Sequence, residues 1–200
     1  MRSRPPPTSG RQVADKDTPT RALSERERVC ARVCARVCAA WQFVGLPAED
    51  AATERSSVSK AQWQPGSFSS SEILRQSSYA ALEAMLHRYI QDSRVGFIRG
   101  FYNESLTPQI ARGMRPALFV MIDCDLYLST LTALDWLCRH RLIVNGTLIV
   151  YNDWDTGGTG GERRAHNEVA ARYGMQVESL GKSPTGQLFR VVSIWHQVEN

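Results

Sequence analysis

Apolar residues gather in short runs along the second half of this chain. Ala117–Ile122 is one run and Thr147–Val150 another. Each is too short for a typical helix and rich in strand formers, so each predicts a buried strand. The first ends in Asp123-Cys-Asp125-Leu-Tyr127, the second in Tyr151-Asn152-Asp153-Trp154. Between them, Leu131, Leu134 and Leu137 share one helical face. They predict a helix capped by Ser129 or Thr130 and running to about His140. Asn145-Gly146 between apolar residues is a hairpin signal, but it also suits a helix end, which is the preferred reading. Upstream, Ala80, Leu82, Met85, Leu86 and Tyr89 predict a core-facing helical stripe behind a Ser70 or Ser71 cap, with His87 on the surface. Arg94–Gly100 reads as a strand and Phe101–Ser105 as the loop after it. Downstream, Gly161 opens a helix. Gln176–Leu180 and Gly186–Ile194 read as strands joined by a turn at Pro184-Thr-Gly186, an antiparallel edge on a mostly parallel sheet.

Composition narrows the function classes. A chain of 200 residues fits one domain with a substantial core. No stretch approaches a membrane span. Residues 1–40 carry nine Lys or Arg against four acids, so the rest of a chain with net charge +4 is at −1. A near-neutral remainder with few lysines argues against a nucleic-acid partner. Residues 1–20, rich in Arg, Pro and Ser, predict a disordered tail ahead of a domain at 21–200. Asp15, Asp17, Glu25 and Glu27 count against a transit peptide, and no apolar core marks a secretory signal, so a cytoplasmic location is expected. Cys30, Cys34 and Cys38 would form a stripe on a helix, yet no Cys-x-x-Cys pair completes a metal site. Five cysteines, an odd number, fit a reducing compartment.

The strand ends carry the candidate chemistry. Ligands of open parallel sheets sit outside the carboxyl ends of strands. Neighbouring strands would therefore place Asp123, Asp125, Asn152 and Asp153 at one rim. Clustered side-chain oxygens suit Mg²⁺, which keeps positions open for substrate and stabilises a deprotonated hydroxyl. The competing reading is that these are ordinary caps and turn residues. The segment Asp155–Gly161 is glycine-rich but lacks the Gly-Lys-Ser/Thr ending of a phosphate loop, so it reads as a mobile loop over the rim.

These residues resemble the macrocin O-methyltransferase (TylF-type) family. Ile122–Thr130 is similar to its strand-end motif and Asn152-Asp153-Trp154 to its paired acids. Gly161-Glu-Arg-Arg-Ala-His-Asn-Glu168 is similar to its helix start. Val37–Pro47 resembles its second strand and turn, and Trp63–Ser69 the loop before its next helix. The resemblance implies a Rossmann-like class I methyltransferase fold, S-adenosylmethionine as donor, Mg²⁺, and a small-molecule hydroxyl substrate such as a sugar. It implies that Asp123, Asn152 and Asp153 hold the metal, with Asp123 also accepting the hydroxyl proton. Ser67, Asn103, Glu104 and Asp125 would face the cofactor. Tyr127, Trp154, Arg163 and Arg164 would face the substrate, the two arginines being as readily read as a solvated helix face. A lysine base three residues after the first Asp is excluded, because Leu126 stands there.

Two features depart from the family pattern. Trp41 stands where the family has an acid for the ribose hydroxyls, and an indole only donates. Before Ala40 the one glycine is Gly10, and no apolar strand precedes it. Loss of a charged acceptor alone costs about 1.5–3 kcal/mol, so weak or absent S-adenosylmethionine binding is expected. Asp123-x-Asp125 also matches the metal element of nucleotide-sugar glycosyltransferases, and a non-catalytic copy of the fold is a third reading. A homo-oligomer is compatible with all three.

Overall fold

The computed structural model describes residues 37–41, 45–46, 65–67, 69–76, 78–155 and 161–195, all within the unit Val33–Asn200. Along them run β1 (Val37–Trp41), α1 (Ser70–Ile73), α2 (Tyr79–Ile90), β2 (Val95–Arg99), α3 (Tyr102–Ser105) and α4 (Pro108–Arg112). Then follow β3 (Phe119–Ile122), α5 (Tyr127–Arg139), β4 (Leu148–Tyr151), α6 (Gly161–Arg172), β5 (Gln176–Lys182) and β6 (Gln187–Ser193). The expectations for the tail at 1–20, for Cys30 and Cys34, and for the loops at 48–64 and 156–160 lie outside the described residues. Cys38 stands in strand β1 and not on a helix.

The strands fall into two sheets. β1 pairs with β2 in parallel. The other sheet runs β3-β4-β6-β5, with β3 and β4 parallel and the β4-β6 and β6-β5 pairs antiparallel. The reversed strand, β6, is therefore interior, and β5 forms the edge. Gly186 N donates to Ser183 Oγ at 2.8 Å in the turn that joins them. Doubly wound sheets place their first strand centrally, between the second and the fourth. Among the described residues no strand stands between β1 and β3.

Strand β3 is half-buried, where the sequence predicted a fully buried strand. Val120 and Ile122 enter the core, while Phe119 and Met121 are 54% and 57% exposed. The main core explains this. Ile122, Ile149, Tyr151 and Val191 of the sheet pack with Leu134 and Cys138 of α5 and with Val169 of α6, all on one face. The predicted stripe on α2 is also largely uncovered. Leu82 is buried, but Ala80 is exposed and Tyr89 is 87% exposed. This helix leans on the narrow two-stranded sheet, through His87 against the Phe97 ring and Arg99 over the Tyr79 ring.

Helix ends differ from the predicted caps for local reasons. The striped helix α2 is capped by Ser78, whose Oγ accepts the Ala81 N–H at 3.2 Å, and not by Ser70 or Ser71, which lie in the short α1 capped by Ser69. Helix α5 starts at Tyr127, with Leu126 at the cap position and no side-chain cap. Ser129 and Thr130 are buried in its first turn. Its far end closes on Arg141 at φ 56°, with Leu142 N donating to Leu137 O at 2.8 Å. Asn145-Gly146 then makes neither a hairpin nor a helix end. Thr147 N donates to Val144 O at 3.0 Å around Gly146 at φ 91°, the positive φ that the third position of a type II turn requires. The predicted loop at Phe101–Ser105 contains the single helical turn α3. Among the described residues no helix is long and apolar enough to cross a membrane.

Candidate metal centre at the strand ends

Strands β3 and β4 end in register, with Ile122 opposite Tyr151. Asn152 N extends the ladder by donating to Ile122 O at 3.0 Å. The residues that follow must emerge together at one rim. Ligand oxygens of Asp123, Asp125 and Asp153 lie within 4.8 Å of one another. Asn152 Nδ2 donates to Asp123 Oδ1 at 3.2 Å and to Asp153 Oδ2 at 3.3 Å, bracing two of the three carboxylates. The sequence reading grouped Asn152 with Asp123 and Asp153 and turned Asp125 toward the cofactor. The structure draws Asp125 into the carboxylate group. It does so through a tight turn: Leu126 N bonds back to Cys124 O around Asp125, whose φ is 60°. A non-glycine residue held there is a strained feature of the kind that gathers at functional sites.

The electrostatics suit a cation. The Asp125 carboxyl is pushed up to about 7, first by burial, then by the charge and hydrogen bond of Asp153, then by Asp123. Asp123 is also raised, chiefly by burial and against the pull of its Asn152 hydrogen bond. Three oxygen donors that destabilise one another's charge match a hard divalent ion, which takes few carboxylates and reverses the local electrostatics. The donor set fits Mg²⁺.

Sequence reasoning missed Glu162. It lies in the first turn of α6 and is fully buried. One carboxylate oxygen accepts Cys124 N at 3.2 Å and the other accepts Asp153 N at 2.9 Å. Burial, first among the causes, pushes its carboxyl up to about 8 against those two hydrogen bonds. The available signal was an acid in the first turn of a helix, which usually means only a dipole-compensating surface charge. The Cys124 thiol faces Tyr102 Oη at 3.7 Å, and burial pushes it up to about 12. It is a protonated thiol and not a thiolate ligand.

The remaining predicted residues take varied places. Tyr127 is buried, donates to Glu168 and lies beneath the Arg164 guanidinium at 3.9 Å from the ring centre, pinning α5 to α6. Trp154 is buried among Tyr151, His166 and Phe189. Arg163 pairs with Asp155 at 3.3 Å on the surface. Asn103 and Glu104 are exposed on α3. Ser67 sits in a turn whose backbone accepts Leu46 N at 2.9 Å. Among the described residues no hydrogen bond joins Ser67, Asn103 or Glu104 to the carboxylates.

No protein-family model matches this chain, and no curated protein does. Solved structures do. The structure of the O-methyltransferase NovP matches with a TM-score of 0.61 at 18% identity. The crystal structure of CalS11, a calicheamicin methyltransferase, matches with a TM-score of 0.55 at 17% identity. Each match covers 78% of this chain but 60% of the other, so this chain spans three-fifths of their length. At these identities the likeness is one of fold alone: mixed α/β and Rossmann-like.

Proposed function

We propose that this chain is an O-methyltransferase-like protein that binds Mg²⁺ through Asp123, Asp125 and Asp153 and takes the hydroxyl of a sugar or related small molecule. The observation that carries this is the convergence of three carboxylates at the ends of two parallel strands, in a fold shared with two O-methyltransferase structures. A bound cation supplies charge that stabilises the deprotonated hydroxyl. Asp123 is the most exposed of the three and faces the open rim, so it is the residue to accept the hydroxyl proton. Asn152 holds Asp123 and Asp153 in place through its amide. Methyl transfer from S-adenosylmethionine then requires the acceptor oxygen in line with the methyl group, which is positioning chemistry.

The donor side departs from the pattern of such sheets. The place between β1 and β3 that carries the cofactor turn in such sheets holds no strand among the described residues. Trp41, the last residue of β1, stands in place of the expected acid. The chain alone is therefore expected to bind S-adenosylmethionine weakly. Calorimetric titration tests both statements. Mg²⁺ should bind the parent, and Asp123→Ala or Asp153→Ala should weaken it at least about tenfold with circular dichroism unchanged. Unchanged affinity in both variants removes the metal reading. A low-micromolar dissociation constant for S-adenosylmethionine removes the weak-donor reading. A nucleotide sugar that raises the melting temperature with Mg²⁺, where S-adenosylmethionine does not, would point to glycosyl transfer.

A further inference from the structure

The three carboxylates belong to two separate loops, one after β3 and one after β4. Nothing in the strand ladder beyond Asn152 N fixes the spacing between those loops. The Asn152 amide spans them side chain to side chain at Asp123, but one side chain, from a third element, bonds to the backbone of both. Glu162 uses its two oxygens separately, one on the N–H of Cys124 and one on the N–H of Asp153. Cys124 lies between two of the clustered acids, and Asp153 is the third. The helix that carries Glu162 is itself set hard against the first loop. A Cβ added at Gly161 would lie 2.7 Å from both Asp125 O and Tyr127 N. The loop it abuts contains the left-handed Asp125, a conformation that persists only when its surroundings enforce it. Glu162 is fully buried, so water does not compete for these bonds.

We propose that Glu162 is the positioning residue of the rim, a buried clamp that holds the two loops at the spacing where Asp123, Asp125 and Asp153 converge on one cation. The clamp rests on the Mg²⁺ reading of the rim. Glu162 does not touch the metal or the substrate; it acts through two backbone amides. Partners in this position orient ligands, and their loss typically weakens metal affinity about 10- to 100-fold. Glutamine is nearly isosteric but offers one oxygen and one NH₂, so one of the two amides would face a donor.

The test is Mg²⁺ titration of the parent, Glu162→Gln and the helix variant Val169→Ala, each with its melting temperature. Val169 is buried in the same helix, seven residues on from Glu162, and packs in the main core. The expected result is a Glu162→Gln affinity about 10- to 100-fold weaker than the parent, while Val169→Ala melts lower and keeps parental affinity. Equal Mg²⁺ affinity in parent and Glu162→Gln overturns the clamp and leaves the metal reading standing. A parent that binds no Mg²⁺ overturns both. If Glu162→Gln does not fold, amide exchange of the parent decides: one carboxyl group holding both loops requires the Cys124 and Asp153 amides to exchange slowly and at a common rate. Fast or independent exchange overturns the clamp.

Discussion

His166 shows how a single buried residue ties stability to pH. It is 4% exposed, its ring stacks on Phe189 at 5.0 Å, and its Nδ1 lies 2.8 Å from Tyr151 Oη. Burial holds it down to about 4. Its unfolded value is about 6.5, so the unfolded chain gains a proton before the folded one does. Stability contributed by the neutral ring is complete above about 6.5 and is lost as pH falls toward 4. The loss reaches on the order of 3 kcal/mol at about one pKa unit per 1.4 kcal/mol. Glu162, raised to about 8, acts with the opposite sign and adds stability as pH falls through that value. Urea unfolding of the parent and of His166→Phe from pH 7.5 to 4 separates the two. The variant should lose one proton's worth of slope below 6.5, and parallel curves would refute the assignment. The rim acids were legible because Asp directly after an apolar run is conspicuous. Glu162 and His166 were not, because a charged or titratable residue gives no local sign of being buried.

Helix α6 makes the same point over twelve residues. Gly161, Glu162, Ala165, His166 and Val169 form its buried stripe at helical spacing. Two of those five are polar, so the sequence reads as a solvated helix with a weak apolar face. Its position depends on the missing side chain of Gly161. Gly161→Ala brings a Cβ within 2.7 Å of backbone on the facing loop, which can yield only by moving the loop or the helix. The expected cost is about 1–3 kcal/mol, typical of overpacking, despite the better helix propensity of alanine. Gly113→Ala, whose Cβ would meet its nearest atom at 3.6 Å, should melt close to the parent. Equal melting of both variants would refute the close approach. Other elements were legible in outline. Strands β3, β4, β5 and β6 fall where apolar and β-branched runs predicted them. The start of α5 was misread because Ser129 and Thr130 are favoured caps in general, whereas the turn at Asp125 puts the cap at Leu126, at least three residues earlier.

Among the described residues, the α3–α4 segment after β2 meets α5 through a small apolar cluster, Leu106, Ile110 and Ala111 against Trp136 and Leu142, and through two polar contacts. Cys124 Sγ meets Tyr102 Oη at 3.7 Å, and Trp136 Nε1 donates to Thr107 O at 3.3 Å where α3 and α4 approach α5. The β3–β6 sheet has its own core, while the β1–β2 side buries little. Amide exchange should therefore run faster in β1, β2 and α2 than in β4, β6 and α5, and equal protection would show one cooperative unit. The sequence reading had noted that a central strand was not to be found before Ala40. It could not show that one face of β3 would be exposed, because the burial of each face is decided by what packs on it. That exposed strand has a consequence for handling the protein. Among the described residues β3 is a terminal strand, Phe-Val-Met-Ile, with no lysine, proline or bulge along it. These are the devices by which natural sheets keep their borders from adding strands of another molecule. Its short length is the one safeguard it retains, and Leu118, Phe119 and Met121 lend it apolar area to stack. Crowding of the chain at high concentration is therefore expected to begin at that border.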